Sequence, residues 1–600
     1  MMKCYTADFE TLTYLEGGRT RIWSYGICEI EHTSNFTYGT SMAEFLARCN
    51  NGDNDTLYFH NLAFDGIFII SSLFEMGFKH VLDRKESETN TFTTLISDMG
   101  AFYSIEITFK KQGKHVRKVT LYDSLKIINM PVKDVAKSFN LPIKKGDINY
   151  DEIRDKAHKI TDSELSYLRN DCEIMARALH VLFNEGLDAM TQGANALQDY
   201  KGIVDKKRFE RCFPHVDYDK DIRQSYKGGF TYVNPKFKGK VINEGIVLDV
   251  NSLYPSVMYE ELMPFGEGKH YNGEYEFDKI FPLYVHCFKC DFKIKPNHIP
   301  TLQLKNNPSY IGNEYVLCNN EDDEEPLFLT SIDMKLFYEH YDVFNEEHIG
   351  GWKFKAVKED KEKGTKGLFN EYIDKWSARK IKAKEEHNAG QYTIAKLFLN
   401  SLYGKFASSP EGQSKIPYMG ENGIVKFRLG EVEDRKSLYI PVGTFITAYA
   451  RYKTITSAQK VYSRFCYADT DSLHLEGTEI PEGLEISDTK LGAWKHESTF
   501  YKAKFLRQKS YIELSWDIKK CLPINRPNGV GEVVNNTKFK HTQSHMQVTC
   551  SGMSKGCYPN VTFDNFELGQ DYEGKLKPTH VVGGIILEDT SFTIKEAKVG

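Results

Sequence analysis

The segment "FCYADTDSLHL", residues 465–475, sets Asp469 and Asp471 one residue apart between apolar flanks. In an extended strand residues i and i+2 face the same side, so the two carboxylates are expected side by side. Two unit charges about 4 Å apart repel by about 4 kcal/mol at an effective dielectric near 20. A shared proton, a neighbouring Lys or Arg, or a divalent cation has to offset that repulsion. A second pair with the same spacing opens the chain, Asp8 and Glu10 in "ADFET". Asp65 follows a strand-like run in "HNLAFDG", and Tyr167 and Asp171 in "YLRND" are four apart and share one face of a helix. Four carboxylates converging in one domain can hold two divalent ions about 4 Å apart, which clamp the attacking and leaving oxygens of a phosphodiester displacement. Tyr167 is then placed to orient the attacking water.

Two further segments carry chemistry. Asp249 ends an apolar strand in "IVLDVNSLYPS", immediately before a turn. In "QYTIAKLFLNSLYGKF" Lys396, Asn400 and Tyr403 are spaced i, i+4, i+7, so one helical face carries a cation, an amide and a flat ring.

The elements that must position these residues are α/β in pattern. The first 185 or so residues alternate strands with helices and end in "TDSELSYLRNDCEIMARALHVLFNEGL", which starts on a Thr cap with Glu three residues on. A polar linker runs to about Tyr226. A second α/β region begins at "EGIVLDVNSLYPSVM" and resumes at "VGTFITAYARYKTITSAQKVYSRF". Between its parts lie a strand-rich segment at 261–360 that includes the acidic "NNEDDEEP", a helix pair broken at "EHNAG", and a Gly/Pro-rich excursion at 408–435.

At 600 residues the chain is too long for one core. Its 40% hydrophobic and 27% charged residues suit an ordinary globular protein, and its net charge of −5 speaks weakly against nucleic-acid binding. Local basic runs, "KWSARKIKAK" and "KKQGKHVRK", supply what the sum hides. With scattered cysteines and an opening "MMKCYTADFE" that lacks an apolar leader, a reduced, cytosolic protein is expected. Cys287 and Cys290 in "HCFKC" have C-x-x-C spacing without a second such pair, and are read as structural thiols rather than a zinc site. No G-x-x-x-x-G-K-[ST] occurs, which disfavours a P-loop ATPase or helicase.

Together "DFET", "NLAFDG" and "YLRND" resemble the three motifs of the proofreading 3′–5′ exonucleases of family B DNA polymerases, and "LDVNSLYPS" with "YADTDS" resembles that family's palm motifs. The resemblance implies a multi-domain α/β protein: a ribonuclease H-like exonuclease domain (1–188), a right-hand polymerase of palm (189–260 and 436–535), fingers (361–407) and thumb (536–600), and two insertions (261–360 and 408–435). In the exonuclease it implies a catalysis-assisting role for Lys145 and single-strand contacts from Thr11, His60, Asn61, Phe64, Ser124 and Leu125. In the palm it implies Asp249 and Asp471 as metal ligands, Asp469 as their close supporter and the Val250 carbonyl as an extra ligand. Lys384 and Lys396 would take the triphosphate of the nucleotide, Tyr403 its base, and Tyr254 would exclude a ribose 2′-hydroxyl. DNA contacts follow for Tyr226, Gly228 and Gly229 in "SYKGGF", Thr447 and Arg451 in "TAYARY", and Lys509 and Tyr511 in "RQKSY". Lys227 stands where the family commonly has Arg, which keeps the charge and loses the bidentate fork. Tyr392 stands where close relatives can carry a DNA-binding lysine and is given no role.

From about residue 3 to 595 the chain is similar to the protein-primed DNA polymerases of small tailed Bacillus phages. That similarity implies two Mg²⁺ ions per site, with Mn²⁺ as a substitute, and dNTPs, primer-template and single-stranded DNA as ligands. It further implies a terminal protein as primer, a monomer with no membrane association, and the host cytoplasm as location. The two insertions are expected to engage the terminal protein and enclose DNA, giving processivity and strand displacement. A nucleic-acid-primed polymerase, a stand-alone exonuclease and a non-enzymatic scaffold are the rival readings; the two complete acidic sets weigh against the last two.

Overall fold

The computed structural model describes residues 3–304, 314–319, 325–516 and 544–595. The acidic stretch 320–324 and the expected palm–thumb boundary at 535–536 lie outside them. The front of the chain builds an eight-stranded mixed sheet around the strand Cys4–Thr11, which pairs antiparallel with Ile22–Glu29 and parallel with Thr56–Phe59. Alternation along this strand sorts its residues. Tyr5, Ala7 and Phe9 enter a core shared with Ile67, Phe68 and Ile70 of the helix Leu62–Glu75. From the opposite face Thr6 Oγ1 donates to Cys172 O, 2.7 Å away on the helix Asp162–Phe183.

That long helix starts in a full capping box: Thr161 accepts from Glu164 N, and Glu164 accepts from Thr161 N. An N-cap of this kind contributes about 1 kcal/mol. Most of the helix's hold comes from packing. Leu168, Ile174, Leu179 and Leu182 are buried, each worth about 1.5–3 kcal/mol. A Cβ at Gly26 would stand 2.9 Å from Leu168 Cγ, so the missing side chain lets the helix approach the sheet. This close seating fixes where Tyr167 and Asp171 project.

A second eight-stranded sheet centres on Gly245–Val250, flanked antiparallel by Ser472–Glu476 and Trp494–Arg507. Phe465–Asp469 forms a hairpin with Ser472–Glu476 and pairs on its other side with Thr231–Val233. The helix Ile440–Lys460 lies against this unit, buried along most of its length, with Pro in its first turn. The strand-rich segment is a four-stranded antiparallel sheet with the helix Ser331–His340 packed on it. The helix pair is Asn370–Glu385 and Ala389–Phe406, and Asn388 of "EHNAG" caps the second by accepting from Gln391 N.

Two expectations need correction. The polar linker contains three helices, Gln192–Val204, Lys206–Cys212 and Asp219–Gln224. Tyr200 of the first is fully buried among Phe213, Phe369, Tyr372 and Phe406. Charges between its apolar residues mask the stripe that seats it. The Gly/Pro-rich excursion is a regular two-stranded hairpin, Glu411–Met419 with Val425–Asp434, and Gly423 takes φ +72° near its turn. The C-terminal hairpin Asp571–Val581 and Gly584–Thr593 reaches it, with His580 Nδ1 3.0 Å from Val425 O.

Candidate active sites

The first site lies on one face of the front sheet, at its interior strand Cys4–Thr11. Asp8 and Glu10 share the strand face that looks toward the long helix, and Asp65 enters from the first turn of Leu62–Glu75. That turn is reached through Asn61, held at φ +82°. Asp171 completes the group, and Lys145 Nζ donates to its Oδ2 at 2.5 Å. All four carboxylates are buried or nearly so; burial raises every pKa, and repulsion from neighbouring acids adds to it at Asp8, Glu10 and Asp65. Asp8 is pushed up to about 7 by burial and then by Asp171; Glu10 and Asp65 go well above the ordinary carboxylate value. Asp171 is raised by burial, with Lys145 opposing. Tyr167 lies beside this group, its hydroxyl 3.0 Å from that of Tyr150.

The expected strand-contacting residues gather at the rim. His60 is fixed at both ring nitrogens, Nδ1 3.0 Å from Ser124 Oγ and Nε2 2.8 Å from Met130 O. Asp123 Oδ1 accepts from the backbone N–H of Asn61 and of Leu125, each at 3.0 Å, and so ties the two strand-contacting loops together. The Ser124 hydroxyl is buried, donates to Phe59 O at 2.9 Å and so helps to orient His60. Phe64 lines an apolar cavity of about 340 Å³ shared with Phe427 and His580, and Thr11 sits half-buried at an irregular strand end.

The second site is the end of the central hairpin. Asp471 is not in a strand: Thr470 and Asp471 form the turn, with Thr470 at φ +64°. The pleat therefore does not align Asp469 with Asp471, as strand spacing alone would have it. The turn instead divides their tasks. Asp469 Oδ1 accepts from Lys509 Nζ at 2.6 Å and from Thr231 Oγ1 at 3.2 Å. Asp471 lies near Asp249 in one cleft, and Val250 N donates to Asp471 O at 2.8 Å, stitching the two acid-bearing segments together. Asp249 is pushed up to about 7 by burial, then by Asp471 and Glu497. Asp471 is raised by burial, with Asp469 adding to it.

A cleft of about 540 Å³ opens over these acids, with Lys509 and Tyr511 in its wall. Lys396 and Asn400 are exposed on one face of Ala389–Phe406, with Tyr403 half-buried beside them, and Lys396 is close enough to act on both Asp249 and Asp471. Tyr403 stacks on Tyr254 with ring centroids 3.9 Å apart at 18°. Lys384 is exposed near the end of its helix, while Lys380, one turn earlier, is more enclosed. Burial and the charges of Lys396, Lys384 and Lys495 lower the Lys380 pKa. Lys380, Lys495 and Glu497 are site residues that sequence reasoning passed over. The signal for Lys380 was the i, i+4 spacing to Lys384; for Glu497 there was none, because a register irregularity turns it.

Thr447 and Arg451 lie inside the fold. Both are buried, at 1% and 2% exposure, on a helix buried along most of its length. Thr447 Oγ1 donates to carbonyls of its own helix. Arg451 makes a bidentate pair with Asp333 and donates to the carbonyls of Lys227 at 2.6 Å and Gly228 at 2.9 Å. It thus holds the 226–229 loop. Gly229 in that loop abuts the hairpin turn, where a Cβ would come within 2.6 Å of the Thr470 side chain. Cys287 and Cys290 are half-buried free thiols whose pKa values burial pushes up to about 11 and about 12.

Among the described residues no three His, Cys, Asp or Glu side chains converge tightly enough to hold an ion as they stand. The donor chemistry nevertheless fits a hard divalent cation, because every candidate ligand is an oxygen, from a carboxylate or from the Val250 carbonyl. Asp171 Oδ1 is buried without a hydrogen-bond partner in the structure, as an ion ligand would be.

A sheet with three acids at a hairpin end, facing a helix with Lys, Asn and Tyr on one side, defines the class. The family model for DNA polymerase type B, organellar and viral, matches residues 46–489, and the chain belongs to that family. The DNA polymerase of Bacillus phage Nf is 45% identical over 603 residues, covering 99% of this chain and all of the relative. The solved ternary complex of phi29 DNA polymerase with primer-template DNA and incoming nucleotide superposes with a TM-score of 0.89 at 43% identity, over 99% of this chain and 100% of that one. The phi29 polymerase complex with single-stranded DNA gives a TM-score of 0.89 at 42% identity with the same coverage. Within the family this chain is of the phi29 type found in Bacillus phages, a DNA polymerase with exonuclease and polymerase domains, and the family implies a divalent metal cofactor. No helix among the described residues is long and apolar enough to cross a membrane.

Proposed function

We propose that the chain is a replicative, protein-primed DNA polymerase with its own 3′–5′ proofreading exonuclease. The observation that carries this is the pairing of Asp249 with Asp471 in one cleft, with Lys396 of the helix Ala389–Phe406 close enough to act on both acids. In this reading 1–188 is the exonuclease, 189–260 and 436–535 the palm, 361–407 the fingers and 536–600 the thumb. The insertions 261–360 and 408–435 meet a terminal protein and enclose DNA. Ligands are dNTPs, primer-template and single-stranded DNA; the protein acts as a monomer in the host cytoplasm.

Extension is the attack of a primer 3′-hydroxyl on the α-phosphate of a dNTP, forming one P–O bond as the bond to pyrophosphate breaks. At initiation the hydroxyl comes from a Ser, Thr or Tyr of the terminal protein. Asp249, Asp471 and the Val250 carbonyl would hold Mg²⁺, or Mn²⁺ in its place, in the palm; Asp8, Glu10, Asp65 and Asp171 would do so in the front site. Bound there, the ions lower the cost of charge on attacking and leaving oxygens. Asp469, pinned by Lys509, fixes the hairpin turn. Lys384 and Lys396, joined by Lys380, neutralise the triphosphate. Tyr403 packs on the base, and Tyr254, stacked against it, closes the space a 2′-hydroxyl would need. In the front site His60, Asn61, Phe64 and Leu125 receive a frayed end, Tyr167 orients water, and Lys145 balances the acids. Tyr226, Gly228 and Gly229, held by Arg451, lie beside the hairpin turn and share the primer between the sites.

The test is extension of a primer on a single-stranded circle with this chain, Mg²⁺ and dNTPs alone. Products much longer than one circle are expected, since strand displacement belongs to the chain. Products that stop at one circle would favour a nucleic-acid-primed enzyme that needs helpers.

A further inference from the structure

One cation at the palm site has no task in that reading. Lys495 lies on Trp494–Arg507 and is paired in register with Asp249. Opposed residues of antiparallel strands project to the same face, with Cβ atoms about 4.5–5.5 Å apart. Lys495 therefore stands on the carboxylate face of the palm sheet. A register shift follows between Val247 and Leu248, which pair with Ser498 and His496 and leave Glu497 as the extra residue of a bulge. Lys495 Nζ is 3.3 Å from Glu497 Oε2, with both side chains partly exposed, at 39% and 56%. Such a contact is weak and readily exchanged for a stronger anion.

The surrounding charges say what that anion is. Lys495 and Lys396 both act on Asp249, and Lys495, Lys396 and Lys384 all act on Lys380. One lysine from the palm and three from the finger helices thus share a space beside the acids. Gathering like charges costs free energy unless a multivalent anion lies between them. A metal-liganding pair of acids with one lysine beside them on the palm, and three lysines on the finger helices, suit a polyphosphate.

We propose that Lys495 binds the β- and γ-phosphates of the incoming nucleotide from the palm side, opposite the finger lysines, and holds pyrophosphate as it leaves. The proposal rests on the Asp249–Asp471 reading above, and the test separates the two. Full-length wild type, Lys495→Ala and Lys495→Arg are compared in single-nucleotide extension over a dNTP series and in pyrophosphorolysis over an inorganic pyrophosphate series. In Lys495→Ala the KM for dNTP and the half-saturating pyrophosphate each rise about tenfold, the loss of one charge-assisted hydrogen bond. kcat changes less, hydrolysis of single-stranded DNA is unchanged, and Lys495→Arg recovers most of the loss. If Lys495→Ala melts lower than wild type, Lys495→Gln, which keeps the stem, is judged by the same two ratios. Values within about twofold of wild type for both ligands would overturn the proposal and leave Lys495 with its Glu497 contact alone. A wild-type chain that extends no primer would instead bring down the underlying reading.

Discussion

The two acidic sites use the same side chains in opposite settings. In the front site four carboxylates sit almost out of water, and two of them, Asp8 and Asp171, line a cavity of about 100 Å³ together with Lys145, which pairs with Asp171. At the hairpin one acid is already neutralised by Lys509, two remain, and the cleft over them is about five times larger. The first setting is tight and buried, the second open. Enclosure, more than the identity of the donor groups, separates the two sites; in the proposed reading the tight one receives a single-strand end and the open one a duplex end with a triphosphate.

The largest change we expect short of the catalytic acids comes from the clamp between the sites. Asp333→Ala strands Arg451 as an unpaired buried charge, which should cost about 3–5 kcal/mol of stability. It should also loosen the 226–229 loop, shifting the balance between extension and hydrolysis. Urea unfolding checks the first effect; a loss under about 1 kcal/mol would mean that Arg451 finds another partner.

Metal binding should sharpen the comparison. Asp8 and Asp249, raised to about 7 from an ordinary 3.8, favour the folded state while protonated. That contribution is complete below about pH 4 and is lost as pH rises through 7, because ionising them in the folded chain is harder than in the unfolded one. Chelator-treated protein should therefore melt progressively lower from pH 5 to pH 8. Mg²⁺ at a hundredfold excess over Kd should return about 2.7 kcal/mol per site at the upper end and much less at the lower. A Mg²⁺ response independent of pH would contradict this.

The smallest effect is on sugar choice. Tyr254→Val removes the ring stacked on Tyr403 and should raise ribonucleotide incorporation about tenfold or more, with the extension rate nearly kept. Unchanged discrimination in competition between dNTP and rNTP would take Tyr254 out of that role.

Much of this was legible in residue spacing. Asp8 and Glu10 follow the period of a strand and Tyr167 and Asp171 that of a helix, and both periods survive in the fold. The hairpin pair was legible as a site and misread in detail, because a two-residue turn breaks the pleat between Asp469 and Asp471. That Arg451 is buried against Asp333 was not legible, because the sequence does not show how far its helix is enclosed. Glu497 is turned by a register shift set by its neighbour strand, and Lys495 gains its meaning only from the strand opposite. Such cross-strand facts have no local signature.

The central claim is that one chain carries two separate sites, one building and one removing. A 5′-labelled primer-template, incubated with Mg²⁺ with and without dNTPs, tests it using Asp471→Ala beside the Asp8→Ala, Asp65→Ala double variant. Asp471→Ala should lose extension by at least about a thousandfold and still shorten the primer, and the double variant should do the reverse. Loss of both activities in either protein would contradict the division and require a single shared centre.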